Sequence, residues 1–415
     1  MKLKVARRFL KTTVRYRGRR GSIVTAFPVK TASFGNACSS NTAAFDSQRW
    51  HSNPRFPLAV RTRSATIRHN KGRPGDYGYQ TTAGLFSGGG GKWMKPNQVD
   101  AHGRPVTGYT GWIFQSNDGK EKYPERGVGL TGDISEKFAD ASIELIEQLR
   151  EKPFFIHVNF TAPHDPLLIP PGFKNAYDPA TIPLPMNYRP SHPFDHGNQN
   201  SRDESLLPLP RTEKDVREDL AVYYAVISHL DQQVGRILMA LDDSGERDNT
   251  IVIFTSDHGL AMGSHGLRGK QNMYEHTINV PMLISGPGVP KNQRFEAQMY
   301  LRDMYATVCD LVGIPVPDVP NTAGTRASID GRSVVPVLRG DQDQVHKYVF
   351  GYFRDFQRMI RGERWKLIHY PQIDRYQLFD LVKEQEPPRH SPQAGLLATC
   401  RYGRGSRALP GQKNG

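Results

Sequence analysis

Two short stretches of the 415-residue chain carry residue types that together could act on a charged ester. The first is Ser256-Asp257-His258-Gly259, followed by Gly263-Ser264-His265-Gly266-Leu267-Arg268-Gly269-Lys270 and Tyr274-Glu275-His276. An acid and an imidazole side by side can share one divalent cation, which neutralises ester oxygens and organises a nucleophile, and a lysine nearby adds charge stabilisation. The same residues have a plainer reading: an Asp capping the next helix, a His bonded to its own loop and a Lys in solvent. The second stretch is Asn159-Phe160-Thr161-Ala162-Pro163-His164-Asp165-Pro166. Here His164 is either a turn residue before Asp-Pro or a donor to a leaving group. Each stretch follows a short apolar run rich in β-branched or aromatic residues, Thr250–Thr255 and Phe154–Phe160, which read as strands buried in an α/β sheet. Ligands gather at the carboxyl ends of parallel strands, so both stretches are expected to face one cavity.

Together these blocks resemble the sulfatases of the alkaline-phosphatase superfamily. The first is similar to that family's second metal-binding block: a strand, Asp followed by Asn or His, Gly, a glycine-rich turn and a lysine. The likeness continues through Pro281 and Gly286-Pro287-Gly288. The second resembles the family's Ala-Pro-His-x-Pro segment. A helical stretch, Tyr223-Tyr224-Ala225-Val226-Ile227-Ser228-His229-Leu230-Asp231, also matches and is read as packing. By this resemblance Asp257 and His258 are divalent-metal ligands, Lys270 contacts the sulfate ester, and His164 lies by the leaving-group oxygen. Family precedent gives calcium as the cation, whereas an imidazole ligand would suit manganese or zinc better. The resemblance implies an alkaline-phosphatase-like α/β fold, with a mixed, mainly parallel sheet between helices and a smaller antiparallel C-terminal domain. It also implies hydrolysis of a small-molecule or carbohydrate sulfate ester through a covalent sulfated intermediate. A phosphonate or phosphate ester hydrolase of the same superfamily would carry the same metal block.

The first half departs from the family pattern. No adjacent aspartates precede Asp242-Asp243, which sits in a turn, although the family completes its metal site with such a pair. Cys38 is followed by Ser39-Ser40-Asn41-Thr42 and not by the x-P/A-x-R context in which the family's Cys or Ser becomes formylglycine. Gly78-Tyr79-Gln80-Thr81 and Gly91-Lys92-Trp93 are similar to the family's Gly-Tyr-x-Thr and Gly-Lys-Trp-His, with a glycine run between them and Met94 in place of the histidine. Lys92 is therefore either a second sulfate-binding lysine or a solvated one. The expectation is that this chain turns over little sulfate ester, with a non-catalytic, anion-binding sulfatase fold as the rival reading. A basic opening, an onset of likeness near Asp133 and its loss after Lys383 fit a disrupted reading frame at both ends.

The elements that must position these residues follow from periodicity and punctuation. Ile134, Phe138, Ile143, Ile146 and Leu149 fall near helical spacing before Pro153. Thr212 and Asp215 form a capping-box-like start to a long helix carried by Val216, Leu220, Tyr224, Ile227, Val234, Leu238 and Leu241. Between them, the proline-rich residues 163–210 are too long for an idle connector and read as a loop covering the site. Pro281–Ile284 reads as a further strand. Runs at 349–352, 358–360 and 365–368 read as short antiparallel strands. The glycine-rich residues 72–91 read as loop. The resulting layout is a disordered or atypical basic segment 1–71, a sulfatase-like α/β domain 72–340, a small antiparallel domain 341–383 and a disordered tail 384–415.

Charge is concentrated at one end. The chain has 55 Lys+Arg against 41 Asp+Glu, and residues 1–70 hold 15 of the bases with a single acid, Asp46. The remainder is balanced, so a basic partner surface is a question about the opening alone, and that opening has no aromatic-interleaved or other motif support for a nucleic-acid partner; none is expected. Three scattered cysteines, Cys38, Cys309 and Cys400, make neither a disulfide framework nor a thiolate metal site. No run of about 18 apolar residues marks a membrane span, and the opening lacks a signal-peptide core. That opening resembles a transit peptide in composition but has weak amphipathic periodicity.

Overall fold

A computed structural model describes residues 73–385 apart from residues 75–78, 107, 149–152, 317–318, 321–325 and 328–330, together with two strands further upstream. Strands β1 (Ser22–Pro28), β2 (Arg61–Ala65) and β3 (Thr81–Thr82) precede a hairpin of β4 (Leu85–Gly88) and β5 (Trp112–Gln115). Helix α1 (Ile134–Glu147), strand β6 (Phe154–Phe160), the short helix α2 (Arg202–Ser205) and the long helix α3 (Glu213–Asp243) follow. Next come β7 (Thr250–Thr255), α4 (Glu275–Ile278), β8 (Met282–Ser285), α5 (Asp303–Leu311), the two-residue pair β9 (Val319–Pro320) and β10 (Arg326–Ala327), and α6 (Val335–Arg339). The chain then forms β11 (Val349–Phe353), β12 (Gln357–Arg361), β13 (Trp365–Tyr370), β14 (Arg375–Asp380) and α7 (Leu381–Gln385).

The main sheet has the order β3-β2-β6-β1-β7-β8, parallel throughout except for β8 against β7. Strands β6 and β7 are almost wholly buried, as expected of runs covered on both faces. Helices α1 and α3 cover one face, and Phe138, Leu145, Val234, Leu238 and Leu241 meet Ile156, Val158 and Phe160 in the largest apolar cluster. Each such side chain contributes about 1.5–3 kcal/mol by leaving water. The start of α3 is fixed by the expected cap: Thr212 Oγ1 accepts from the Asp215 backbone N–H at 3.1 Å and donates to its carboxylate at 2.6 Å. Gly245, with φ of +76°, lies just past its end.

Two expectations are corrected. Residues 1–71 are not without core strands: Ser22–Pro28 forms the central strand β1, paired in parallel with β6 and β7, and Arg61–Ala65 pairs with β6. The run Ser-Ile-Val-Thr-Ala-Phe-Pro carries the β-rich signal, and the surrounding arginines obscured it. The glycine-rich residues 72–91 are not all loop either, because Leu85 and Phe86 are fully buried in the β4–β5 hairpin. Cys38 and the tail beyond residue 385 lie outside the described residues, as does every other reading placed there.

The four-stranded antiparallel sheet β11–β14 includes β14, which the sequence reading lacked. Its inner residues Phe353, Met359, Ile368, Tyr370 and Phe379 pack against Ala261, Leu267, Met273 and Tyr274. The small sheet therefore buttresses the loop that follows β7. No helix among the described residues is long and apolar enough to cross a membrane.

Candidate active site

Strands β6 and β7 flank β1 and run parallel to it, so the loops after them leave the same edge of the sheet. After β6, a turn in which the His164 N–H bonds the Thr161 carbonyl at 3.0 Å turns His164 inward, where it is 7% exposed. After β7, the His258 backbone N–H donates to Asp257 Oδ1 at 2.9 Å, and His258 Nε2 lies 3.5 Å from Asp257 Oδ2. The loop then folds back on itself through Ala261 N–H to Gly269 carbonyl and Gly263 N–H to Leu267 carbonyl bonds, presenting Lys270. Two glycines permit this path. A Cβ on Gly259 would lie 1.9 Å from the His276 carbonyl oxygen, and one on Gly266 would lie 2.2 Å from the Ser191 carbonyl carbon. The second contact seats the proline-rich segment on the loop.

The two stretches meet. Lys270 Nζ lies 2.6 Å from His164 Nε2, across 106 residues of sequence. The His164 ring stands 6.5 Å from the His258 ring and edge-on to Tyr109 at 5.9 Å. His164, Lys270, Asp257 and His258 thus share one neighbourhood. Lys92 is placed differently: it stands exposed on a 3-10 turn with its ammonium 5.2 Å above the Trp93 ring, and none of its contacts among the described residues joins it to His164 or Lys270.

A buried network of charges that was not read from the sequence surrounds the His164–Lys270 contact. Lys270 pairs with Asp203 at 2.9 Å, and Arg202 pairs with Asp203 at 2.8 Å and with Asp165. Arg268, fully buried, bridges Asp165 at 3.5 Å and Asp219 at 3.2 Å, and Asp219 also holds Arg104 at 3.0 Å. Burial opposes ionisation of Asp165, but His164, Arg268, Arg202 and Lys270 outweigh it and hold the carboxyl far below its ordinary range. Burial and the Asp165 charge likewise oppose the charge on Asp203, and Lys270 with a bond from Gln271 holds it below the ordinary value. Glu204 goes the other way, because burial outweighs its bonds to the Arg268 and Gly269 backbone and its pairing with Arg211. Burial, followed by the Asp165 charge, pushes the Tyr109 hydroxyl far up and keeps it neutral. The legible signal for this network was the Arg-Asp-Glu triplet at 202–204, isolated in an otherwise proline-rich stretch.

The family model described as Sulfatase matches residues 75–314, more than half of the chain. The chain belongs to the sulfatase family. A second model, for the C-terminal part of N-sulphoglucosamine sulphohydrolase, matches residues 263–390 of the chain. An arylsulfatase of Clostridium perfringens (strain 13 / Type A) is 30% identical over 240 residues, covering 56% of this chain and 48% of its own. A choline-sulfatase of Rhizobium meliloti (strain 1021) is 31% identical over 240 residues, covering 55% and 44%. The chain spans about half the length of these relatives. Among solved structures, the phosphonate monoester hydrolase SpPMH from Silicibacter pomeroyi superimposes with a TM-score of 0.53 at 23% identity, covering 70% of this chain and 59% of its own. BT4656, solved in complex with its substrate D-glucosamine-2-N,6-O-disulfate, gives 0.51 at 19% identity, covering 78% and 74%. At these identities the likeness is one of fold, the alkaline-phosphatase-like fold.

The sulfatase family is generally metal-dependent. The described residues fit a cation in part. Asp257 and His258 offer an oxygen and a nitrogen donor, and no group of three or more His, Cys, Asp or Glu side chains able to hold an ion occurs among the described residues. Calcium takes about six to eight oxygens, so this pair alone does not define which ion would bind.

Proposed function

We propose that the chain binds and hydrolyses sulfuric esters, of a small molecule or a carbohydrate, at the site formed by His164 and Lys270. The observation that carries this reading is their 2.6 Å contact, which joins the two sulfatase-like blocks. An ammonium has only donors, so Lys270 donates to His164 Nε2, and the ring proton resides on Nδ1, directed to the Asp165 carbonyl at 2.5 Å. In a partly desolvated site the Lys270 charge stabilises ester oxygens more than water does. As the ester's S–O bond breaks and the sulfuryl group passes to the attacking nucleophile, the Lys270 ammonium, directly or through His164 Nε2, gives a proton to the leaving oxygen and is left as the neutral amine. Asp257 and His258 would hold the divalent cation, which supplies charge neutralisation at the ester when bound. The names of the arylsulfatase and choline-sulfatase relatives have only the sulfate ester in common, and the proposal extends to that group alone. Lys92 remains the proposed second anion-binding lysine.

The test is hydrolysis of an aryl sulfate and an aryl phosphate by the chain co-expressed with a formylglycine-generating enzyme, with calcium or manganese added. Turnover of the sulfate in preference to the phosphate supports the reading; preference for the phosphate contradicts it. A second reading, anion binding with little turnover, is favoured by the surroundings of Cys38, which lack the modification motif. Peptide mass spectrometry of Cys38 and the Cys38→Ala variant separate the two. Robust turnover abolished by that change makes Cys38 the nucleophile and removes the second reading.

A further inference from the structure

We propose that Asp203, on helix α2 of the proline-rich segment, is a positioning residue that holds the Lys270 ammonium against His164 Nε2 and thereby fixes which ring nitrogen of His164 carries the proton. The proposal deepens the reading of Lys270 and His164 given above and rests on it only for the identity of the ester.

Two consecutive carboxylates of α2 grip the Lys270 loop in different ways. Glu204 takes its backbone, accepting from the N–H groups of Arg268 at 2.8 Å and Gly269 at 2.9 Å while pairing with Arg211 at 2.6 Å. Asp203 takes its side chains: Oδ2 lies 2.9 Å from Lys270 Nζ and accepts from Gln271 Nε2 at 2.9 Å, and Oδ1 accepts from Arg202 at 2.8 Å. Asp203 and Lys270 are both almost wholly buried, so water does not readily replace either partner. From Lys270 the line continues through His164 to Asp165, whose carbonyl lies 2.5 Å and whose carboxylate lies 3.2 Å from Nδ1. A carboxylate therefore stands at each end of a lysine–histidine pair. One end keeps the ammonium pointed at Nε2, and the other draws the ring proton to Nδ1. A lysine on a four-carbon stem has many rotamers, and the Asp203 carboxylate 2.9 Å from its ammonium selects this one. The fold of the loop depends on Glu204, and the direction of its ammonium depends on Asp203.

The experiment is side-chain nitrogen-15 NMR of His164, assigned by comparison with His164→Gln, alongside calorimetric titration with inorganic sulfate. In the unaltered chain His164 should show a protonated Nδ1 and a bare Nε2. Asp203→Ala should move the Nε2 resonance toward the protonated region, Lys270→Met should produce the same shift, and the two together should add nothing further. Asp203→Asn, whose carbonyl oxygen still accepts from Lys270, should restore the original pattern. Glu204→Gln should lower the melting temperature and leave the His164 nitrogens in place. If Asp203→Ala does not fold, Asp203→Ser, too short to reach Nζ, takes its place with the same expectation. An unmoved Nε2 resonance in the folded Asp203 variant, or an equal shift in Glu204→Gln, overturns the proposal. Failure of the unaltered chain to bind sulfate would remove the sulfate reading and leave the nitrogen shift as the test of Asp203.

Discussion

That Lys270 and His164 come together was legible from the two blocks and the strands before them, whereas the charges that surround their contact were not. A motif names the groups that meet an ester; it does not name the carboxylates that hold those groups, because their partners lie far away in sequence. Asp203 is 67 residues from Lys270, and Asp165 meets Arg268 across 103. Lys270→Ala should therefore lower unfolding stability by about 1–3 kcal/mol in urea titration, because it leaves the buried Asp203 short of a partner. A merely solvated lysine would show no such loss. The same carboxylates predict acid sensitivity. Asp165 and Asp203 are both held below their ordinary range in the folded chain, so their contribution is present above the ordinary carboxylate pKa and is lost as pH falls toward their folded values. Replacing either by Asn should flatten the loss of stability on acidification below about pH 4. An unchanged acid limb in both variants would show that the network does not control it.

The proline-rich segment covers the site through elements as much as through charges. Gly266 lets the segment's Ser191 and His192 backbone sit against the loop, and Gly266 adopts φ of +74°. Gly266→Ala should cost roughly 1–3 kcal/mol through both the clash and the strained φ, readable as a lowered melting temperature. The same segment packs Phe194 on Tyr370 at 4.9 Å with Arg375 above it, tying the site cover to the small sheet. His192 and His196 lie in this junction. Burial pulls both from 6.5 to about 4; Arg189, Arg375 and Arg211 add to the effect at His192 against the His265 carbonyl, and His192 and Arg211 add to it at His196 against Asp195. The unfolded chain takes up more protons than the folded one between these values, so stability should fall as pH drops from about 6.5 to about 4. His192→Phe and His196→Leu should shallow that slope in melting temperature against pH, and an identical slope would contradict this account of the junction. The segment was expected to cover the site from its length and prolines; the latch itself was invisible because it depends on pairings with β13 and β14.

At the scale of the whole molecule, strong periodicity was a sound guide. Helices α1 and α3 and strands β6 and β7 fall where their apolar spacing places them. Central strand β1 did not stand out, since a single short run amid arginines gives no periodic signal, and β14 was missed because polar Gln377 shares the inward face with Phe379 and Asp380 is buried as well. Parallel pairing then explains why two loops separated by about a hundred residues close on one another: β6 and β7 are both hydrogen-bonded to β1 and end at the same edge. The central claim is that these two loops form one sulfate-binding site. Its most direct test is calorimetric titration of inorganic sulfate into the chain, His164→Gln, Lys270→Met and the double variant. The account predicts binding at one site, a loss of about tenfold or more for Lys270→Met, and a double variant whose loss is less than the sum of the single losses, because the two residues act as a pair. Sulfate affinity that is unchanged in Lys270→Met, or losses that add without coupling, would contradict it.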